Sequence, residues 1–183
     1  MRKFPVLIVI VGSAIALTAC SSGGGTATYG PPSAQFSAAF PSPPKTIPMP
    51  AKSEQGMPPG TKGTLYGVGD VNLGTSAGSP HVPTFGVAVE VVAGADAGSK
   101  VSSLMKAFGS FAKSTGGHAV TVGGASGWEI RGSEKAVTGG DNGDAKARAG
   151  ELIIGRGDVI YIVGAFSDSQ SDVDAFVASF KPL

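Results

Sequence analysis

Residues 118–133 read HAVTVGGASGWEIRGS. Residues 118–122 and 127–133 are strand-like runs, and Gly123-Gly124-Ala125-Ser126 between them has the composition of a tight turn. So short a connection joins antiparallel strands, because a parallel crossover takes a dozen or more residues. This hairpin sets an antiparallel sheet as the frame for the rest of the chain.

Upstream, residues 99–115 predict the best helix. Val101, Leu104, Met105, Phe108, Phe111 and Ala112 recur at helical spacing and form one apolar face, with Lys100, Lys106 and Lys113 outside it. Ser99 suits the N-cap, and Gly116-Gly117 suits the stop. Before it, residues 85–92 alternate Phe85, Val87, Val89 and Val91 against Glu90, a clear strand. Residues 61–72 read as a weaker strand. Residues 36–40 read as a short one, stopped by Pro41, Pro43 and Pro44, and the Pro-rich stretch to Pro59 is expected to be loop.

Downstream, a glycine–aspartate loop (residues 139–144) leads into a strand over residues 145–154. Gly155-Arg156-Gly157-Asp158 turns the chain into residues 159–166, its most β-prone run. A closing helix over residues 171–180 puts Val173, Phe176, Val177 and Phe180 on one face. Ser171 and Asp174 form a near capping box there. Three strands, a helix, four strands and a helix predict an α+β class: a mostly antiparallel sheet of about six or seven strands packed with two amphipathic helices.

The N-terminal end carries different information. Met1-Arg2-Lys3 precedes an apolar run over residues 4–16, far short of the roughly 20 residues a membrane span needs. Leu17-Thr18-Ala19-Cys20 and then Ser21-Ser22-Gly23-Gly24-Gly25 resemble the bacterial lipobox. The resemblance implies a diacylglyceryl group on the Cys20 sulfur and cleavage between Ala19 and Cys20. The expected organisation is a lipoprotein signal peptide (1–19), a lipidated Ser/Gly/Pro-rich linker (20–33) and one globular domain (34–183). The expected location is the extracytoplasmic side of the cell membrane, with the bilayer as first partner through acylated Cys20. Two acyl chains anchor stably, at about 0.8 kcal/mol per buried methylene.

Composition narrows the function classes. The 183 residues hold 14 Lys+Arg, 13 Asp+Glu and a single Cys. Cleavage removes Arg2 and Lys3, so the cationic count becomes 12 against 13 acidic residues. Such a balance lacks the basic stripe of a nucleic-acid binder and leaves the anchoring to lipid. One cysteine excludes a disulfide framework and a multi-Cys zinc site.

Several stretches share one layout. They are Phe36-x-x-x-Phe40-Pro41, the first helix, Gly124-x-x-Gly127-Trp128-Glu129-Ile130-x-Gly132-Ser133, the hairpin through residues 155–158, and Val173-x-x-Phe176-x-x-Ser179-Phe180. Over residues 36–180 this layout resembles the PsbP-like fold, as carried by small actinobacterial lipoproteins of the LpqN/LpqT type. The resemblance implies partner binding without catalysis, a theme shared by photosynthetic extrinsic subunits, a nuclear-transport GTPase partner and envelope lipoproteins. It maps no functional residue onto this chain.

Catalytic and metal motifs do not assemble. Ser103/Lys106 and Ser110/Lys113 both match S-x-x-K, but the partner motifs S-D-N and K-T-G are absent. Gly124-Ala125-Ser126-Gly127-Trp128 departs from the nucleophile elbow at its fifth residue, and His81 and His118 both precede Ser126. Two distant histidines make a poor zinc site. Asp141, Asn142 and Asp144 lack EF-hand spacing and read as a solvated Asx turn. Asp168, Asp172 and Asp174 suit the positive end of the last helix. Arg156-Gly157-Asp158 is turn chemistry.

No catalytic, cofactor or metal-binding residue is therefore expected. Trp128 is left as the candidate partner surface. The expected function is a non-catalytic binding module contacting an envelope protein or a hydrophobic envelope molecule. The alternatives are a small envelope hydrolase with a dispersed site (Ser126 or His118 with a carboxylate) and a structural surface lipoprotein without a dedicated ligand. An apolar pocket between sheet and helices, faced by Trp128, would favour the first.

Overall fold

The computed structural model describes residues 26–31, 33–49, 60–69, 83–133 and 147–183. Ala19, Cys20, His81, Asp141, Asn142 and Asp144 lie outside the described residues, as does half of the expected linker.

Ten strands and two helices are present among the described residues. In chain order they are β1 (Ala27–Tyr29), β2 (Phe36–Phe40), β3 (Lys45–Met49), β4 (Lys62–Val68), β5 (Thr84–Val91), α1 (Ala97–Ser114), β6 (His118–Val122), β7 (Ala125–Ser133), β8 (Arg148–Arg156), β9 (Val159–Ser167), α2 (Gln170–Ser179) and β10 (Lys181–Pro182). Seven strands form one sheet in the order β3-β4-β5-β9-β8-β7-β6, every neighbouring pair antiparallel. A second, three-stranded sheet has the order β1-β2-β10. The class is the α+β one read from the sequence.

β9 shows why both faces of the large sheet are covered. Tyr161, Val163 and Ala165 point to one face and Ile160 to the other, and all four are buried. A strand wrapped on both sides reads as a continuous apolar run and not as an alternation. On the first face, Val173, Phe176 and Val177 of α2, with Phe180 after it, pack with Phe36, Ala38 and Phe40 of β2 against Val87, Leu152, Ile154 and Val163. Aromatic rings knit that layer: Phe40 and Phe36 meet Phe176 and Phe180 at centroid separations of 5.0 and 6.0 Å. On the second face, α1 sets Ala97 and Val101 against Val92, Ile153 and Ile160, and Ala112 against Ile130 and Ala149.

Some local readings are corrected. α1 begins at Ala97 after Asp96, so Ser99 lies inside its first turn. The Asp96 carboxylate pairs with Lys100 at 2.8 Å, which ties the first turn to the residue before it. α2 starts two residues upstream of Ser171–Asp174 spacing, with the Ser169 hydroxyl accepting from the Asp172 amide at 3.3 Å. Both Ser-x-x-Asp pairs fit a cap, and the end of β9 at Ser167 selects the earlier one. Residues 45–49, expected in a loop, form β3; its Pro48 is tolerated because the strand is a sheet edge. Residues 27–29, inside the expected linker, form β1 on β2, where the Tyr29 ring packs 6.1 Å from Phe40 and 6.0 Å from Tyr66.

Two glutamates sit in the large sheet on the α1 face, Glu90 buried and Glu151 half-buried. Burial pushes both carboxyls up from the ordinary glutamate value. They bind protons more readily folded than unfolded, so their contribution to stability is complete below the unfolded value and is lost as pH rises through the folded one. Asp96 and Asp174 are held down chiefly by hydrogen bonds from Lys100 and Gln170. They act in the opposite sense, in more acidic solution and largely exposed. The melting temperature should therefore rise as pH falls from neutral toward the ordinary glutamate range. The double variant Glu90→Gln/Glu151→Gln should melt higher than the natural chain at pH 7 and show a flatter profile. An unchanged slope in that variant would refute the assignment.

Candidate binding groove

α1 lies along the β7–β8 side of the sheet, and glycines allow it to come close. Gly109 stands directly over Trp128: a Cβ at that position would lie 2.5 Å from Cε2 and Cζ2 of the indole. Gly155 of β8 does the same nearer the helix start, where a Cβ would lie 2.7 Å from Met105 Cγ and 3.0 Å from Val101 Cγ1. A glycine within a helix costs about 1 kcal/mol relative to Ala. Here that cost is offset by seating an indole against the helix backbone.

Between these two seats lies a groove of about 290 Å³, lined by Val101, Ser102 and Met105 of α1, Ser126, Gly127 and Trp128 of β7, and Gly155 and Gly157. That is the small end of the range for ligand sites, about 300–1,000 Å³. Its lining is mixed: the apolar Val101, Met105 and Trp128 stand beside two hydroxyls, those of Ser102 and Ser126. Ser102 Oγ donates to Gly98 O at 2.9 Å and keeps its lone pairs for an incoming donor. Trp128 is half-buried, and the Lys113 ammonium stands 5.3 Å from its ring centroid, a cation–π contact worth about 0.5–1 kcal/mol. In the sheet Trp128 is flanked by Ile153 on β8 and by the small Ala119 on β6, so its β6 side is low.

The turn of the quoted hairpin is shorter than its composition suggested. Gly123 and Gly124 both have positive φ (56° and 79°) and close it in two residues. Ala125 and Ser126 therefore belong to β7, and Ser126 joins Trp128 on the α1 face.

The remaining candidate residues are dispersed. His118 opens β6 opposite Glu129, three positions along the ladder from the Ser126–Thr121 pair. Alternation places His118 and Ser126 on opposite faces of the sheet, so they do not meet. The S-x-x-K hydroxyls are spent on the helix backbone, Ser103 Oγ donating to Ser99 O at 3.0 Å and Ser110 Oγ to Lys106 O at 3.2 Å. Arg156 donates to the Leu183 carbonyl, and the Asp158 carbonyl accepts from the Val92 amide at 2.8 Å. Asp172 occupies the first turn of α2, as expected. Asp174 instead accepts from Arg131, which also donates to Glu129, and so ties α2 to β7. Among the described residues, no group of three or more His, Cys, Asp or Glu side chains could hold a metal ion, and no helix is long and apolar enough to cross a membrane.

Sequence reasoning singled out Trp128 but missed its setting. The available signal was Gly109, a glycine interrupting an otherwise strong helical pattern. Gly155 carried no comparable mark, because a glycine beside a turn is ordinary.

No protein-family model matches the chain, and no curated protein does. Among solved structures, a crystal structure from Bacteroides thetaiotaomicron VPI-5482 matches over 88% of this chain at 13% identity, with a TM-score of 0.44. The match takes in 49% of that protein, so the chain spans about half its length. The solution structure of cyanobacterial PsbP (CyanoP) from Synechocystis sp. PCC 6803 matches over 91% of this chain and 99% of its own, at 12% identity and a TM-score of 0.45. Both are likenesses of backbone arrangement at low identity.

Proposed function

We propose that this chain is a lipid-anchored, non-catalytic binding module of the bacterial cell envelope. In this reading it resembles the small actinobacterial lipoproteins of the LpqN/LpqT type. It is tethered through Cys20 on the extracytoplasmic side of the cell membrane. The domain holds a partner protein or a hydrophobic envelope molecule in the groove between α1 and the sheet. The observation that carries the reading is the groove itself, where Val101, Met105 and Trp128 line one opening together with the hydroxyl-bearing Ser102 and Ser126. Apolar area with a few polar groups at its border is the usual make-up of a site that holds and orients a ligand. Ser126 and His118 stand on opposite faces of the sheet, so they form no nucleophile–base pair with each other.

Ser126 is exposed on the rim, so substitution there should shift stability by no more than about 0.5 kcal/mol. Ser126→Phe should fill the groove while leaving the melting temperature close to that of the natural chain. Pull-down from detergent-solubilised envelope, with native mass spectrometry for bound lipid, should recover a molecule with the natural chain and lose it with Ser126→Phe. Recovery of nothing above background by either method would refute the proposal, as would equal recovery by both proteins. Labelling of Ser126 by an activity-based serine probe would favour the hydrolase.

A further inference from the structure

β6 forms one edge of the large sheet, and no described element pairs with its outer side. In a two-residue hairpin the residues flanking the turn, here Val122 and Ala125, exchange backbone hydrogen bonds. By alternation Val122, Val120 and His118 direct their N–H and C=O groups to β7, and Thr121 and Ala119 direct theirs outward. Natural sheets blunt such edges with Lys, Pro or a bulge. The opposite edge, β3, carries Lys45 and Pro48. β6 carries neither, and Ala119 and Thr121 are exposed.

The side chains of Ala119 and Thr121 lie on the α1 face, between this edge and Trp128. Both are small. A strand added to β6 would run about 10 Å from β7, and a long apolar side chain on it would reach the groove across Ala119. Above, Ser102, Lys106, Gly109 and Lys113 follow one another at i, i+4, i+7 and i+11, which makes a single ridge of α1. Ser102 lines the groove, Gly109 meets the indole and Lys113 stands over it, and Lys106 lies between them on the same ridge, exposed. The salt bridges among the described residues engage Lys100 and Arg131 and leave Lys106 and Lys113 unmatched.

We infer that the groove takes an extended acidic–apolar peptide, which adds to β6 as a further strand, sets an apolar side chain against Trp128 and brings a carboxylate to Lys106 and Lys113. This rests on the groove being a binding site and names the class of its occupant. Backbone pairing at an open edge supplies affinity, and alternate side chains supply specificity. A second copy of the chain fits less well, because HAVTV has no carboxylate to offer the two lysines.

The test is selection of a phage-displayed library of random twelve-residue peptides on the full lipidated chain in detergent. Enriched peptides should carry Asp or Glu near a large apolar residue. Synthetic copies should bind at least tenfold more weakly to Thr121→Pro, which lacks the outward N–H but keeps the ladder to β7, and equally to Thr121→Val. N-methylation at alternate peptide positions should abolish binding in one phase and spare it in the other, a result that does not depend on any variant folding. Lys106→Glu/Lys113→Glu should turn the selected charge from acidic to basic. The inference is overturned by absence of enrichment, by indifference to the methylation phase, or by light scattering that shows the edge occupied in a dimer. If Ser126→Phe blocks ligand capture and alternate methylation has no effect, the groove reading stands and the peptide reading falls.

Discussion

Phe176→Ala should lower the melting temperature by about 6–20 °C. Phe176 is 3% exposed, and its ring centroid lies 5.0 Å from Phe40 and 5.2 Å from Phe85. It therefore joins α2 both to the small sheet and to the large one. Truncating a buried Phe to Ala costs about 3–5 kcal/mol, because the surroundings close only partly over the cavity. Against a total stability of about 5–15 kcal/mol that is a large share. At this domain size each kcal/mol moves the midpoint by about 2–4 °C. Phe111→Ala is the matched control. Phe111 is 41% exposed on α1, so the same change there should cost about 0.5 kcal/mol. Thermal denaturation of the two variants side by side decides the matter, and equal losses would contradict the packing described.

Cys20→Ala should shift the protein almost wholly from the membrane pellet to the soluble fraction. Under the proposed anchoring, two acyl chains at about 0.8 kcal/mol per methylene supply all the membrane affinity. The chain has no strong charge excess to substitute for them, with 14 basic and 13 acidic residues. Melting of the folded domain should be unchanged, since this is the only cysteine and no disulfide is lost. Fractionation followed by immunoblotting reads the outcome. Retention of the variant on membranes would mean that the apolar leader or another contact does the holding.

The parts of the fold legible in the sequence were those with a strong period or a forced turn. β9 announced itself by β-branched and aromatic residues buried on both faces, and α1 by its helical apolar spacing, although Phe111, read as part of that face, is exposed. The Gly-Gly pair placed the β6–β7 hairpin, although its length was overestimated by two residues. β1 and β3 escaped because their cause is tertiary. Three residues beside a Gly/Pro-rich stretch become a strand when Tyr29 finds Phe40 and Tyr66, and a proline-bearing segment becomes one at a sheet edge. The groove was half legible. Trp128 stood out as the single tryptophan, but its pairing with Gly109 joins positions 19 residues apart on different elements. Hairpin register and helix rotation together make that contact, and neither can be read from composition.

Because Trp128 is the only tryptophan, its emission reports the groove without any label. The most direct measurement is a fluorescence titration of the natural chain and of Ser126→Phe with detergent-extracted envelope fractions, alongside capture of the same fractions. A saturable change in Trp128 emission is expected for the natural chain and none for the variant. Capture by both proteins with Trp128 emission unaltered in either would place the contact elsewhere on the domain and contradict the groove reading.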